Sequence, residues 1–454
     1  MTSFEARTRP EAGVPRPWRF PSPTEGTLPN GLRILRYDVP GQHLAAADLF
    51  VEVPLSAELP EVEGVAALMC RTLPEGTAER DATAFTDALE RQGASFAASM
   101  TQEGVEADLD VPVSNLGAAL RLLVEAVTRP AFPATEVDRH VRQRLEELEH
   151  NRRVPATRAA QELMAAIVDP SCRMARPAGG TAETVARLDR EVTAAFHARH
   201  LAPANATLVL SGDFGGLDAD AIVADAFGEW EAEERAAEPV PFQAPRPAGP
   251  ARVVVVDRPG AVQTVLRFGS LGPDRHHPDW TPLTTAAHVL GGGITSRLDT
   301  VLRELKGYTY GTFSSFRAYR KGGRLTIGGA VHTADTGPAV ADLLGVVRTF
   351  TAEGATPAEW DAAVRYLLGV LSVSVQTARQ TADRAARLVA EHLALDWYDH
   401  RQLALRTVAP ADGAAALARH VSPADLTLVA VGDAERITPG LRDAGLPEPE
   451  VVPE

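Results

Sequence analysis

The chain says the same thing twice, and that duplication limits its fold more than any single motif does. Residues Ala134-Thr-Glu-Val-Asp-Arg-His-Val141 resemble Thr356-Pro-Ala-Glu-Trp-Asp-Ala-Ala-Val364 as a helix start, and Ala206-Thr-Leu-Val-Leu-Ser-Gly-Asp213 is echoed by Asp425-Leu-Thr-Leu-Val-Ala-Val-Gly-Asp433. The spacing repeats as well: Glu136 to Asp213 spans 77 residues and Glu359 to Asp433 spans 74. A repeat of this length is one complete folding unit used twice.

Between the copies the composition shifts. Glu229 to Pro250 runs from an acidic stretch into Pro239, Pro241, Pro245, Pro247 and Pro250, which reads as a helix end followed by a stiff linker. Residues 1–26 contain five prolines and little periodicity, and read as an extended arm or disordered lead. The predicted organisation is therefore an arm (1–26), a first domain (27–228), a linker (229–250) and a second domain (251–454).

Within each copy, period-two strands alternate with period-3.6 helices. Predicted strands lie near 32–37, 47–53, 94–100, 105–111 and 206–211, then 252–256, 264–268, 308–316, 323–329 and 425–433. Predicted helices lie near 62–73, 82–92, 116–128 (with Ser114 as its cap), 135–151, 156–168 and 185–199. The 135–151 helix would turn Val137, Val141, Leu145 and Leu148 inward. The fold class is α+β: two homologous domains, each a mainly antiparallel sheet with helices packed on it.

Composition narrows the function. The net charge is −15, which argues against a nucleic-acid partner. Cys70 and Cys172 are the two cysteines, too few for a disulfide framework or zinc ribbon. The polar N-terminus lacks the apolar stretch of a signal peptide, and no run of about 18 apolar residues predicts a membrane span. A reducing cytoplasm is the expected location.

The most informative stretch runs from Gly291 to Gly311. Ile294, Leu298, Val301, Leu302 and Leu305 mark one face of a helix. Thr295 or Ser296 can cap it, and Gly307 can take the left-handed position that ends it. Tyr308 to Gly311 alternate as a strand. A turn after Lys306 would bring Arg303 and Tyr310 toward one spot. Both donate hydrogen bonds at neutral pH, which suits an oxygen gaining negative charge.

Leu-Arg-x-x-x-Gly-x-x-Tyr after a Gly-rich turn resembles the pitrilysin/insulinase-type zinc metallopeptidases, which include the mitochondrial processing peptidase and its two-subunit bacterial relatives. The resemblance spans about residues 27–435. It implies that Arg303 and Tyr310 contact the substrate carbonyl beside a zinc ion. In that family the first half carries His-x-x-Glu-His on a helix, with a second Glu on a later helix as third ligand. Here Gly64-Val65-Ala66, Leu68-Met69 and Pro74-Glu75-Gly76-Thr77 match the surroundings. The first His position is Ala67, the general base is Cys70, the second His is Arg71, and Glu147 falls at the third ligand. One carboxylate cannot hold catalytic zinc, so no metal is expected in this chain, and Arg71 is expected to pair with Glu147.

The resemblance then implies the zinc-free subunit of a heterodimer. Zinc would sit in a homologous partner carrying His-x-x-Glu-His, and a peptide would be the substrate. The alternative is a non-enzymatic peptide-binding or scaffold subunit. Other candidates read as structural: His197 with His200 and His276 with His277 lack a third ligand in sequence, Gly291–Gly293 lacks the Lys-Ser/Thr of a phosphate loop, Arg297 lies off the site, and Cys70 has no His placed to activate it.

Overall fold

The computed structural model describes residue 13 and residues 16–231 and 240–453. Twelve strands among them form two six-stranded sheets. In the first half these are β1 (Thr24–Thr27), β2 (Arg33–Asp38), β3 (Leu44–Val51), β4 (Ser95–Met100), β5 (Val105–Pro112) and β6 (Ala206–Gly212). In the second they are β7 (Val253–Asp257), β8 (Gln263–Gly272), β9 (Thr309–Ala318), β10 (Gly323–His332), β11 (Thr427–Gly432) and β12 (Glu450–Pro453).

The sheet orders are β1-β2-β6-β3-β5-β4 and β12-β7-β11-β8-β10-β9. Five strands therefore correspond one to one, and both sheets are mainly antiparallel, with β2/β6 and β7/β11 as equivalent parallel pairs. The sixth strand differs: the first sheet's edge comes from before the repeat, the second's from after it. The repeated Gly-Asp does the same work in both. Val39 N–H donates to the Gly212 carbonyl and Arg258 N–H to the Gly432 carbonyl, each at 2.8 Å. Asp213 accepts from Gly41 N–H at 2.7 Å and Asp433 from Gly260 N–H at 2.9 Å.

Every residue of β6 and β11 is buried. Strands so continuously apolar need cover on both faces. One face of each sheet packs on helices of its own half, including Leu116–Thr128 in the first and Thr336–Glu353 in the second. The other face is covered by the opposite half. Helix Pro155–Ile167 lays Ala159, Leu163, Ala166 and Ile167 against Val254, Val256, Val429 and Val431. Helix Ala378–Ala390 lays Ala378, Ala382, Ala385 and Leu388 against Leu35, Ala46 and Val209. Each unit thus completes the other's core.

Several boundaries differ from the sequence reading. The 26/27 division falls inside β1, and Phe20 is buried against Tyr37 and Tyr398. Residues 232–239 of the linker, Pro239 among them, lie outside the described residues. Downstream of them Phe242 is buried, Pro247 bridges to Val168, and Gln243 accepts from Arg173 N–H at 3.0 Å. Ser114 does not cap the helix at 116. Asn115 holds the N-cap position without a side-chain bond to the helix, and its amide donates to the Gln92 carbonyl.

Candidate active-site positions

Helix Val65–Thr72 is aimed by its first turn. Gly64 has φ 101°, and an added Cβ would lie 2.8 Å from the Gly179 carbonyl oxygen, so only glycine fits. Glu58 Oε1 accepts from Gly64 N–H and Ala66 N–H, each at 3.0 Å. Its Oε2 accepts from the Nε of buried Arg173 at 2.9 Å. Burial pushes the Glu58 carboxyl up, while Arg173 and the amides oppose that shift. A carboxylate at a helix N-terminus is also favoured by the helix dipole.

The anchored helix divides its residues between core and cleft. Cys70 faces the core, and burial pushes its thiol up to about 12. At neutral pH it is neither nucleophile nor ligand. Ala67 and Arg71 line a cavity of about 190 Å³ together with Arg144 and Gly179. There Arg71 donates to both oxygens of Glu147, at 2.7 and 2.8 Å. Arg144 adds a third bond at 3.1 Å and ties its Nε to the Gly179 carbonyl at 2.9 Å. The Arg71 bonds, with those of Arg144, hold the Glu147 carboxyl below its ordinary range. The fork-to-fork pair expected between Arg71 and Glu147 is present.

These residues do not fit zinc. Alanine has no donor atom, arginine stays protonated and offers no lone pair, and both Glu147 oxygens already accept from guanidinium groups. A fixed positive charge stands on the carboxylate that would serve as third ligand. Among the described residues, the groups of three or more ligating side chains lie elsewhere.

The 291–311 stretch departs from its predicted helix. One short turn, Arg297–Asp299, is followed by a π-helix, Thr300–Leu305, in which Lys306 N–H reaches the Val301 carbonyl. Leu298 and Leu302 are buried, but Ile294 and Leu305 are 74% and 72% exposed. Ile294 precedes the helix, and the wider π turn rotates Leu305 out of the apolar stripe. Ser296, not Thr295, caps the start, and Gly307 takes the left-handed end at φ 68°.

Arg303 donates to Glu304 at 2.7 Å and to the Ile294 carbonyl at 3.3 Å, and forms an ion pair with Asp299 at 3.4 Å. Asp299 is buried and also accepts from the Thr312 N–H and hydroxyl, each at 2.7 Å. It thereby ties the π turn to the start of edge strand β9. Tyr310 stands on that strand 94% exposed, and among the described residues its hydroxyl has no hydrogen bond. The guanidinium is held and the phenol is free.

The remaining candidates resolve individually. His197 bonds the Val127 carbonyl at 2.7 Å, and burial pushes His200 down to about 4. Arg297 forks onto Glu359 at 2.7 and 2.8 Å and lies over Phe350. His277 does have partners that sequence spacing misses: Asp279 and His420 come together with it. Arg419 occupies both Asp279 oxygens, at 2.9 and 2.7 Å, and holds that carboxyl down at about 2.

Sequence reasoning also missed Glu58, Arg144 and Asp299. Arg144 lies three residues before Glu147, and Asp299 four before Arg303, so helical spacing carried a signal for both. Glu58 carried none.

Fold and site together define a duplicated α+β scaffold with an Arg71–Glu147 ion pair in the wall of its cleft. The family model "Insulinase (Peptidase family M16)" matches residues 33–171, and "Peptidase M16 inactive domain" matches residues 187–367. The chain belongs to this insulinase-like peptidase family. An "uncharacterized zinc protease" of Mycobacterium tuberculosis is 28% identical over 81% of this chain and 83% of its own length. Another, from Bacillus subtilis, is 22% identical over 82% and 89%. Among solved structures, a peptidase M16 inactive domain from Pseudomonas fluorescens superposes with TM-score 0.83 at 25% identity, over 90% of this chain and 98% of that one. A protease from Helicobacter pylori shares the fold with TM-score 0.82 at 17% identity, over 91% and 100%.

Proposed function

We propose that this chain is the zinc-free subunit of a two-chain metallopeptidase. A homologous partner supplies His-x-x-Glu-His and its zinc, and Arg303 and Tyr310 bind the scissile carbonyl of a peptide or precursor peptide across the interface. The observation that carries this reading is the Arg71–Glu147 fork: a scaffold kept whole around a metal position that now holds a cation of its own. The free Tyr310 hydroxyl on an edge strand supports it.

So does the second half's surface. Tyr366, Val370 and Val373 form an exposed stripe on helix Pro357–Val373, at i, i+4 and i+7. His288 stacks on Tyr366 at 4.5 Å and borders the Gly292–Gly293 turn that leads to exposed Ile294. Surface of this kind is what a second subunit covers. No helix among the described residues is long and apolar enough to cross a membrane, and two buried free cysteines suit a reducing cytoplasm.

The test is co-purification with a zinc-bearing homologue encoded beside it, with about one zinc per two chains. Arg303→Ala and Tyr310→Phe should each lower turnover about 10²–10³-fold while leaving assembly unchanged. Wild-type turnover in both variants would end this assignment. A second reading, a non-enzymatic subunit that captures peptides by strand addition, rests on β4 and β9 being sheet edges. Peptide binding with no stimulation of the partner's hydrolysis would favour it.

A further inference from the structure

Beneath helix Ala378–Ala390, the first sheet carries a buried carboxyl that its surroundings leave without a partner. Asp48 lies in the middle of β3, 3% exposed, and its Oδ1 has no hydrogen-bond partner. Asp108 is directly opposite on β5, and Asp383 comes down from the covering helix. One carboxylate oxygen from each of the three lies within 4.8 Å of the other two.

Arg379 is the cation at this place, and it is held by one oxygen each of Asp108, Asp110 and Asp383 and not by Asp48. It donates to Oδ1 of Asp108 and Asp110, each at 3.0 Å, to Oδ1 of Asp383 at 3.2 Å, and to the Leu109 carbonyl at 2.8 Å. None of its bonds reaches the Asp48 carboxylate. Among the described residues, the Oδ2 atoms of Asp108 and Asp383 accept no hydrogen bond. A buried carboxylate with no partner is costly, and it must take up either a proton or a cation.

The donor set favours the cation. Three carboxylates from three elements offer oxygen alone, the preference of a hard divalent ion. Calcium accepts irregular oxygen sites with few waters, whereas magnesium demands near-ideal octahedral geometry and dehydrates reluctantly, so a site this buried favours calcium. Asp383 is half exposed and leaves the ion a way in from solvent.

We propose that Asp48, Asp108 and Asp383 bind a calcium ion that fastens the second half's helix to the first half's sheet. The site is independent of the peptidase reading, because it asks nothing of Arg303, Tyr310 or a partner. The experiment is calcium titration of the chelator-stripped full chain, followed by calorimetry and thermal unfolding. One ion per chain and a rise in Tm are expected. Asp48→Asn and Asp383→Asn should each weaken binding at least about tenfold, and Asp110→Asn should leave it within about threefold. Asp383 is exposed, so its variant keeps the test decisive if Asp48→Asn fails to fold. No heat and no Tm shift up to about 5 mM calcium, beyond the weak end of extracellular calcium modules, would overturn the proposal. So would a shift that survives Asp383→Asn, or an Asp48 carboxyl that carbon-13 NMR shows still protonated at neutral pH with calcium present.

Discussion

Two helices occupy equivalent places in the duplicated fold, each laid across the sheet of the other half, and they are built from different chemistry. Helix Pro155–Ile167 meets the second sheet through a dry contact of Leu163, Ile167 and four valines. The fit is close: a Cβ added at Gly269 would lie 2.8 Å from the Leu163 side chain. Helix Ala378–Ala390 meets the first sheet through alanines, over a surface holding Asp48 and the buried Tyr37 and Ser211 hydroxyls. These three side chains, and Thr381 on the helix itself, carry buried polar atoms with no hydrogen-bond partner. Duplication dictates where a helix must lie, because a sheet apolar on both faces needs a cover. It does not dictate how that cover is held. One contact is a hydrophobic clasp, and the other keeps polar groups whose cost depends on pH and ions.

The contrast is breakable. Leu163→Ala should produce the largest loss, about 2–5 kcal/mol in urea unfolding, because a closely packed cavity cannot collapse. A loss below about 1 kcal/mol would mean that this clasp is not the tight one. In calcium-free buffer at neutral pH, Asp48→Asn should stabilise the chain by about 1–3 kcal/mol, since burial keeps a proton on that carboxyl at a pH where the unfolded chain gives it up. Destabilisation there would place Asp48 in a favourable interaction instead.

A smaller effect follows from Glu106, next along β5 on the same face. Burial, reinforced by Asp108, Glu103 and Asp383 and opposed by Arg387, pushes its carboxyl up to about 7. A carboxyl raised on folding contributes stability that is complete below its unfolded value, about 4.3, and is lost as pH rises to about 7. Thermal unfolding between pH 4.5 and 7 should lose on the order of 1–2 kcal/mol through this group, and Glu106→Gln should flatten that part of the profile. An unchanged slope would refute the shift.

The smallest stability effect belongs to Arg71→Ala, at about 0.5 kcal/mol or less, because the Arg71–Glu147 pair is more than one-third exposed and solvent screens it. The same place offers a sharper probe. Replacing Ala67 and Arg71 together by histidine puts two imidazoles one helical turn apart on the wall facing Glu147. That variant should retain about one zinc per chain after dialysis. Failure to retain it would show that positions 67 and 71 do not share a metal-binding geometry with Glu147.

Much of this was legible beforehand. The repeated Gly-Asp and the helix carrying Val137 follow from periodicity, a local property, whereas the pairing of Arg71 with Glu147, 76 residues apart, was implied only by the family resemblance. Leu305 leaves the predicted stripe because a π turn changes the helical period, where side-chain pattern alone assumes 3.6, and Ile294 leaves it because the helix starts only after Ser296. Asp279 meeting His277 and His420 went unseen because His420 is distant in sequence.

The sequence by itself determined that one α+β unit is used twice, since spacing is written residue by residue, and its resemblance to the family implied that the zinc donors are missing from the first. Only the tertiary structure decided that the units trade helices, that Asp299 ties the π turn bearing Arg303 to the strand bearing Tyr310, and that Asp48 faces two carboxylates from other elements. Those facts depend on which surfaces meet, and a chain's order does not state the distance between residues far apart along it.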